Sequence, residues 1–289
     1  MKAIVGLSGG IDSCWALKTA MEDPNIAVVG TVTFINGWET CASVENIEAA
    51  NDYYGLPSLE VAIPEAEYHA IQKAFLLAST PDAECPTDLA IKDFLLQSTE
   101  DFGADKIITG GNRQTEGTMP PEWSMIDYTY LKNVCKRFGV GIRDFPRFNA
   151  WDAIRYKQKV YRILEGIDYN PDQAKQELQS MFGWKDYAGK HEENIYTRFV
   201  KSLRYYKFGI DVRAVELIAK VDAGLMSVDE MIDQRAWPES VRYQFDADWK
   251  LVEKRLGVQR DNIMSLPVKS YRDYGIGLVR RARLWLKQL

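Results

Sequence analysis

The chain has 289 residues, of which 46% are apolar and 27% are charged. This composition is that of a folded globular protein with a substantial core, and it excludes disordered, collagen-like and coiled-coil proteins. No apolar run approaches the length of a membrane span, and no signal-peptide pattern follows the apolar start. The four scattered cysteines form no C-x-x-C pair, so we expect a cytoplasmic protein with reduced thiols and no membrane partner.

Charge is distributed unevenly along the chain. Residues 1–150 carry 11 basic and 21 acidic side chains, whereas residues 151–289 have a net charge of +5. We therefore predict two domains with these bounds. The acidic first half disfavours a nucleic-acid partner. The basic second half suits an anionic small molecule, although solvated helix faces would give the same pattern.

Strands and helices alternate in the first half of the chain. Apolar and β-branched runs predict strands at 2–7, 27–35, 59–63 and 106–109. Helical spacing of apolar residues predicts helices at 12–22, 43–54 and 87–102. This alternation predicts an α/β fold, in which a parallel sheet carries helices on both faces.

Helices dominate after residue 150. They are predicted at 171–182, 191–206, 211–222, 227–235, 240–256 and 278–288. We therefore expect a second, mostly helical domain after the sheet. Its last helix is basic and amphipathic, and we expect it to pack on its own domain.

The segment Ser8-Gly9-Gly10-Ile11-Asp12-Ser13 joins the first predicted strand to the first predicted helix. Its glycines let a ligand approach the backbone, and the N–H groups at the helix start favour a phosphate. Asp12 would repel bare phosphate, so we expect a bridging Mg²⁺. The segment lacks the lysine of the G-x-x-x-x-G-K-[ST] loop. S-G-G is also a common turn, but its place at the carboxyl end of a strand favours a phosphate site.

The pattern S-G-G-x-D-S resembles the signature of the PP-loop ATP pyrophosphatase superfamily. The resemblance implies a parallel five-stranded sheet, Mg²⁺, and cleavage of ATP to AMP and pyrophosphate. It implies that the residues holding pyrophosphate are Ser8, Gly9, Gly10 and Ser13, with Mg²⁺ at Asp12. It further implies that the other nucleotide-binding residues are Thr33 and Phe34 at the adenine and Gly110 and Gly111 in a second turn.

Six further segments are similar to the N-acetyl sugar amidotransferase family of bacterial surface-sugar pathways. They are residues 34–38, 81–88, 115–123, 183–192, 207–211 and 266–274. The resemblance implies that ATP adenylates the oxygen of an N-acetyl amide on a nucleotide-linked sugar and that ammonia then replaces it. The chain departs from the family in three places. It has no Cys-rich segment before the loop, so we expect no zinc, and residues 211–216 lack part of a basic, His-bearing patch. Residues 190–194 keep the lysine and histidine of the family's K-H-x-E-S pattern but gain an acidic residue.

Three residues outside the loop are expected to be catalytic together with Asp12 and Ser13. Glu116 lies just past the carboxyl edge of the predicted sheet and is expected to face substrate or metal. Lys190 is a candidate phosphate ligand, and the neighbouring His191 is a candidate for substrate binding or proton transfer. The alternatives are a solvated lysine and a structural histidine.

Three more residues are expected to contact the substrate. Thr87 and Asp88 precede a helix, where an acidic residue is also expected for capping alone. Trp184 could form a wall against a sugar or fill the core. Cys85 has no neighbour that would lower the pKa of its thiol, so we expect a buried residue and not a nucleophile.

The chain shows no glutaminase signature, so we expect ammonia to be either free or delivered by a separate glutaminase, and the resemblance implies a separate glutaminase subunit. The main hypothesis is an AMP-forming, ATP-dependent amidotransferase acting on a small N-acetylated nucleotide-sugar. The alternative is a PP-loop RNA-modifying thiolase or base-modifying enzyme, which would need a basic surface and usually a reactive cysteine pair. A third hypothesis is a catalytically dead nucleotide-binding protein, which the intact loop disfavours.

Overall fold

The computed structural model describes residues 1–187 and 192–286, and one five-stranded sheet lies at its centre. The strands are β1 (Lys2–Gly6), β2 (Ala27–Ile35), β3 (Ser58–Ala62), β4 (Lys106–Thr109) and β5 (Val160–Arg162). Their order is β3-β2-β1-β4-β5, and all neighbouring pairs are parallel. The expected five-stranded parallel sheet is confirmed. The three residues of β5 are too few to produce a periodicity signal. They lie after residue 150, in the part of the chain for which we predicted only helices.

Helices fill the connections and form most of the chain after β5, as expected. The helices that accompany the sheet are α1 (Ile11–Glu22), α2 (Cys41–Tyr54), α3 (Glu65–Ala78), α4 (Cys85–Asp101), α5 (Arg113–Glu116), α6 (Tyr128–Arg137) and α7 (Ala150–Lys159). Those after β5 are α8 (Pro171–Phe182), α9 (Ile195–Phe208), α10 (Val212–Asp222), α11 (Val228–Gln234), α12 (Glu239–Leu256), α13 (Arg260–Ser265) and α14 (Leu278–Leu286). No helix among the described residues is long and apolar enough to cross a membrane.

Both faces of the sheet are buried, as its apolar strands require. Side chains of a strand alternate between faces, and β1 shows this directly. Ala3, Val5 and Leu7 pack into a core with α1, α2 and α8, whereas Ile4 packs into a second core on the opposite face with α4. The same alternation separates the neighbouring strand's side chains. The sheet is therefore the middle layer of three.

The largest core joins helices from both halves of the chain. α9 and α12 pack together through Phe199, Phe245 and Trp249, and the rings of Phe199 and Trp249 meet edge to face at 4.8 Å. This core continues to α3 and α6. The sheet itself also crosses the predicted boundary at residue 150, because β5 pairs with β4. A division into two domains at that position therefore stays a prediction.

Candidate active site

A cavity of about 810 Å³ opens beyond the carboxyl ends of the strands, where open parallel sheets bind their ligands. Its walls come from the loops after β1, β2 and β4 and from α4 and α9. The predicted site residues that line it are Ser8, Gly10, Asp12, Ser13, Thr33, Phe34, Thr87, Asp88, Gly110, Gly111 and Glu116. The fold thus brings most of the predicted residues, which are far apart in sequence, to one space.

The loop between β1 and α1 is held in a compact turn by its own serines. The Ser13 hydroxyl donates to the carbonyl oxygen of Gly10 at 2.9 Å and accepts from the backbone N–H of Ser8 at 3.2 Å. Gly10 is the N-cap of α1 and has no side chain that could cap the helix. The positive end of the helix dipole therefore points at the cavity, as a phosphate site requires.

Two glycines allow this turn to pack tightly. Gly9 has a positive φ of 76°, and a Cβ there would lie 2.9 Å from Cα of Ser43 and closer still to its carbonyl oxygen. Gly110 follows β4, and a Cβ there would lie 2.6 Å from the backbone nitrogen of Ser13 and closer still to the carbonyl group of Asp12. No side chain fits at either position, so both glycines are needed for the loop's position.

The segment after α8 supports the loop from behind. The indole Nε1 of Trp184 donates to the carbonyl oxygen of Gly9 at 3.1 Å, and Asn46 donates to the same oxygen at 3.1 Å. Asn46 also exchanges hydrogen bonds with the backbone of Lys185. Trp184 is only 2% exposed and does not line the cavity. The structure therefore does not bring Trp184 to the expected substrate position, because its indole is used to hold the loop.

Two tyrosines that sequence analysis missed contact the loop. The Tyr187 hydroxyl accepts a hydrogen bond from the backbone N–H of Ile11 at 3.0 Å and lines the cavity. The buried Tyr169 hydroxyl donates to Oδ1 of Asp12. Burial and the adjacent Asp12 raise the pKa of Tyr169, so the phenol remains a proton donor. Tyr187 lies in the segment 183–192 that carries the narrower resemblance, whereas no sequence signal pointed to Tyr169.

The expected adenine edge lies at the end of β2. The Thr33 hydroxyl donates to the carbonyl oxygen of Leu7 at 2.8 Å and so joins β2 to the start of the loop. The Phe34 ring packs against Phe94 and edge to face against Tyr68, with centroid separations of 5.4 Å and 5.6 Å. Phe34 therefore offers the cavity an apolar face, which suits a flat heterocycle.

A second group of side chains lines the cavity at the start of α4. The Thr87 hydroxyl lies 2.8 Å from that of Tyr68, and Asp88 is in the first turn of the helix. Next to them, Oε2 of Glu84 accepts from the Thr197 hydroxyl at 2.8 Å. Oε1 of Glu84 is buried and has no hydrogen-bond partner among the described residues. Burial raises the pKa of Glu84 to about 7, with Asp88 adding to the rise, while Thr197 and Arg204 oppose it.

We expect Glu84 to make stability depend on pH. Because its pKa is about 7 in the folded chain and 4.5 ordinarily, the folded state keeps a proton that the unfolded chain releases between these values. The free energy of unfolding should therefore fall as the pH rises through this window. Glu84→Gln lacks this titration, so its free energy of unfolding should not show this fall. From pH 4.5 to pH 7 the free energy of unfolding of Glu84→Gln should therefore rise by roughly 2–3 kcal/mol relative to that of wild type. Urea unfolding across the window measures this gain, and the exposed Glu48→Gln variant should show none.

Two of the predicted catalytic residues, Lys190 and His191, lie outside the described residues. Glu116 is described, ends α5 and lines the cavity near Gly111. Asp12 is the carboxylate of the loop itself. Within residues 1–187 and 192–286 no three His, Cys, Asp or Glu side chains form a metal site by themselves. One carboxylate facing a phosphate loop nevertheless fits Mg²⁺, which takes one or two carboxylates and completes its shell with phosphate oxygens and water.

The chain is similar to known proteins over different shares of its length. No protein-family model matches it. The tRNA-specific 2-thiouridylase MnmA of Psychromonas ingrahamii is 30% identical over 125 residues, which are 38% of this chain and 33% of that protein. The chain therefore spans about a third of the length of this curated relative. A solved structure, the U34-tRNA thiolase NcsA from Methanococcus maripaludis with its [4Fe-4S] cluster, aligns with 92% of this chain and 80% of its own at 15% identity, with a TM-score of 0.40. A TM-score this low supports no further conclusion.

The curated relative, the S-G-G-x-D-S loop and the parallel sheet together point to the PP-loop ATP pyrophosphatase superfamily. The expected superfamily is therefore supported. The comparisons do not reach the N-acetyl sugar amidotransferase family, so they lend no support to the narrower resemblance.

Proposed function

We propose that the chain is an ATP-dependent enzyme that transfers AMP to a carbonyl oxygen of an acceptor and then lets a nucleophile displace the AMP. The observation that carries this proposal is a shared cavity. The loop at Ser8–Ser13 and the polar group around Glu84 and Asp88 line the same space. A nucleotide at the loop and an acceptor at the start of α4 would therefore lie side by side.

The two steps follow from the chemistry of a carbonyl group, which is a poor electrophile when its oxygen must leave. The carbonyl oxygen bonds to the α-phosphorus while the bond to pyrophosphate breaks. The nucleophile then bonds to the carbonyl carbon while the carbon–oxygen bond to AMP breaks. The loop's N–H groups and serine hydroxyls would hold the pyrophosphate, and this preorganised stabilisation is the main contribution of the chain. Mg²⁺ bound through Asp12 would supply further positive charge to the phosphates.

Tyr169 is expected to position Asp12 for Mg²⁺. Tyr169→Phe removes the O–H group that donates to Asp12 but keeps the buried ring. Loss of a partner that orients a metal ligand typically costs 10–100-fold in metal affinity, so the Mg²⁺ concentration for half-maximal AMP formation should rise by about tenfold. Measuring AMP release against Mg²⁺ tests this. Tyr54→Phe is a matched control because the Tyr54 hydroxyl is buried without a partner among the described residues; equal shifts in both variants would contradict the assignment.

One candidate acceptor is a tRNA uridine, with sulfur as the nucleophile. It is supported by the name of the curated relative, a tRNA-specific 2-thiouridylase. This relative therefore favours RNA thiolation over sugar amidation.

The second candidate is an amide, with ammonia as the nucleophile, and the cysteines favour it. Sulfur transfer through the protein requires a reactive thiolate. Cys14, Cys85 and Cys135 are buried, and burial raises the pKa of all three, to about 12 for Cys14 and Cys135. Cys41 is the one exposed cysteine of the four. Under this proposal, a separate glutaminase would supply ammonia to an N-acetylated acceptor.

The test follows AMP release with ATP and Mg²⁺ in two parallel reactions. One contains ammonia and a pool of N-acetylated nucleotide-sugars, and the other contains unmodified tRNA and sulfide. Mass spectrometry identifies whether oxygen has been exchanged for NH or for sulfur. Free sulfide attacks the adenylated carbon directly and needs no carrier thiol, so Cys41→Ser should leave both reactions unchanged. No AMP in either reaction, together with no ATP binding, would refute the proposed function.

A further inference from the structure

Three basic side chains line one side of the cavity, away from the expected adenine edge. Arg162 ends β5, Arg113 begins α5, and Lys92 extends from the middle of α4. β5 is two strands from β1, which corresponds to roughly 10 Å at the usual strand spacing. A nucleotide that runs from β2 to the loop after β1 would therefore leave these cations to another ligand.

Of these three side chains, Lys92 has the fewest hydrogen-bond and ion-pair partners among the described residues. Its ammonium makes no hydrogen bond or ion pair with any described residue. Burial lowers the pKa of Lys92, Asp88 opposes this effect, and Arg280 and Arg162 add to it. Arg280, on α14, also contributes a buried Nε without a hydrogen-bond partner among the described residues. Two cationic groups thus lie close together with donor capacity that the described part of the chain does not use.

The neighbouring acids offset only part of this charge. Glu165 accepts from Arg162 at 3.1 Å and lies 3.6 Å from Arg113, but all three side chains are substantially exposed, so these pairs are weak. Asp88 is the acid that acts on Lys92. We name Lys92, Arg113 and Arg162 the basic wall.

We propose that the basic wall binds a phosphate group of a small phosphorylated acceptor. This inference rests on the proposed function, because it assigns part of the same cavity to the molecule that receives AMP. Charge-assisted hydrogen bonds from lysine and arginine are the usual way to hold a phosphate. The cavity volume is near the upper end of the range of roughly 300–1,000 Å³ for small-molecule sites, so it has room for more than one compact ligand.

A small molecule suits this wall better than an RNA backbone. The cations line a cavity and do not form a stripe along an open surface, and the chain as a whole carries a net charge of −5. Polyanion binding depends on a broad basic surface.

The experiment uses the full chain saturated with Mg²⁺ and a non-hydrolysable ATP analogue, so that the loop is filled. Calorimetric titrations then use UDP-N-acetylglucosamine, inorganic phosphate, and uncharged N-acetylglucosamine as probes. We expect the two phosphate-bearing probes to bind and the uncharged sugar to bind at least about tenfold more weakly. Lys92→Gln and Arg162→Gln should each weaken the phosphate-bearing probes by about tenfold, with the ATP analogue's affinity within about twofold of wild type. Lys136→Gln, which removes an exposed lysine of α6, should change neither affinity.

Three results would overturn the proposal while leaving the proposed function intact. The first is that Lys92→Gln weakens the ATP analogue, which would assign the wall to ATP. The second is that neither phosphate-bearing probe binds the analogue-saturated protein. The third is that a short RNA binds through Lys92 and Arg162 while UDP-N-acetylglucosamine does not. If wild type fails to bind the ATP analogue, the proposed function fails instead, and Lys92-dependent phosphate binding would still support an anion site.

Discussion

Gly110→Ala is expected to abolish ATP binding and to lower the free energy of unfolding by about 2–4 kcal/mol. The added methyl group would press on the backbone of Asp12 and Ser13, at the start of α1. These atoms belong to the peptide chain, so no side-chain rotation can relieve the overlap. Either the end of β4 or the phosphate loop must move, and both lie at the cavity.

Gly111→Ala is the matched control for this variant. A Cβ at Gly111 would find its nearest neighbours, Oε2 of Glu116 and Oγ1 of Thr109, at 3.9 Å, which is ordinary contact. We therefore expect wild-type unfolding for Gly111→Ala, with ATP binding weakened far less than in Gly110→Ala. Thermal unfolding and titration with a non-hydrolysable ATP analogue measure both quantities. Equal behaviour of the two variants would show that the close approach of β4 to α1 does not shape the nucleotide site.

Asp12→Asn is expected to reduce AMP formation by about 10²–10³-fold while the chain remains folded. Asparagine has the same shape and keeps an oxygen that can accept from Tyr169, so the packing survives. It loses the negative charge that a Mg²⁺ ligand needs.

The control for Asp12→Asn is Asp101→Asn, which removes an exposed carboxylate at the end of α4. AMP release under saturating ATP and Mg²⁺, together with circular dichroism, measures activity and fold. Wild-type AMP release by Asp12→Asn would mean that this carboxylate does not bind the metal. Loss of the folded signal would mean that its role is structural.

Contiguous features of the fold were predictable from the sequence. The apolar runs of β1, β2 and β4 and the loop at Ser8–Ser13 each lie within one short segment, so local patterns reveal them. β5 is set by its pairing with β4, a contact across about fifty residues that no local pattern records. Of the described helices after β5, those other than the short α13 were predicted to within a few residues because their amphipathic spacing is regular.

The site was predictable only in its contiguous parts. Tyr169 reaches Asp12 across 157 positions, and the indole of Trp184 donates to Gly9 across 175. The raised pKa of Glu84 depends on its burial, which arises only when α4 and α9 pack together. The roles of Lys190 and His191 stay predictions.

The support that Trp184 and Tyr187 give to the loop has a consequence for engineering. A chain shortened to residues 1–150 would lose both of these contacts, together with the outermost strand of the sheet and the phenol that orients Asp12. The first half of the chain therefore cannot be transferred alone as a nucleotide-binding unit. A fusion of this half with a foreign acceptor-binding domain would also have to supply the side chains that support the phosphate loop.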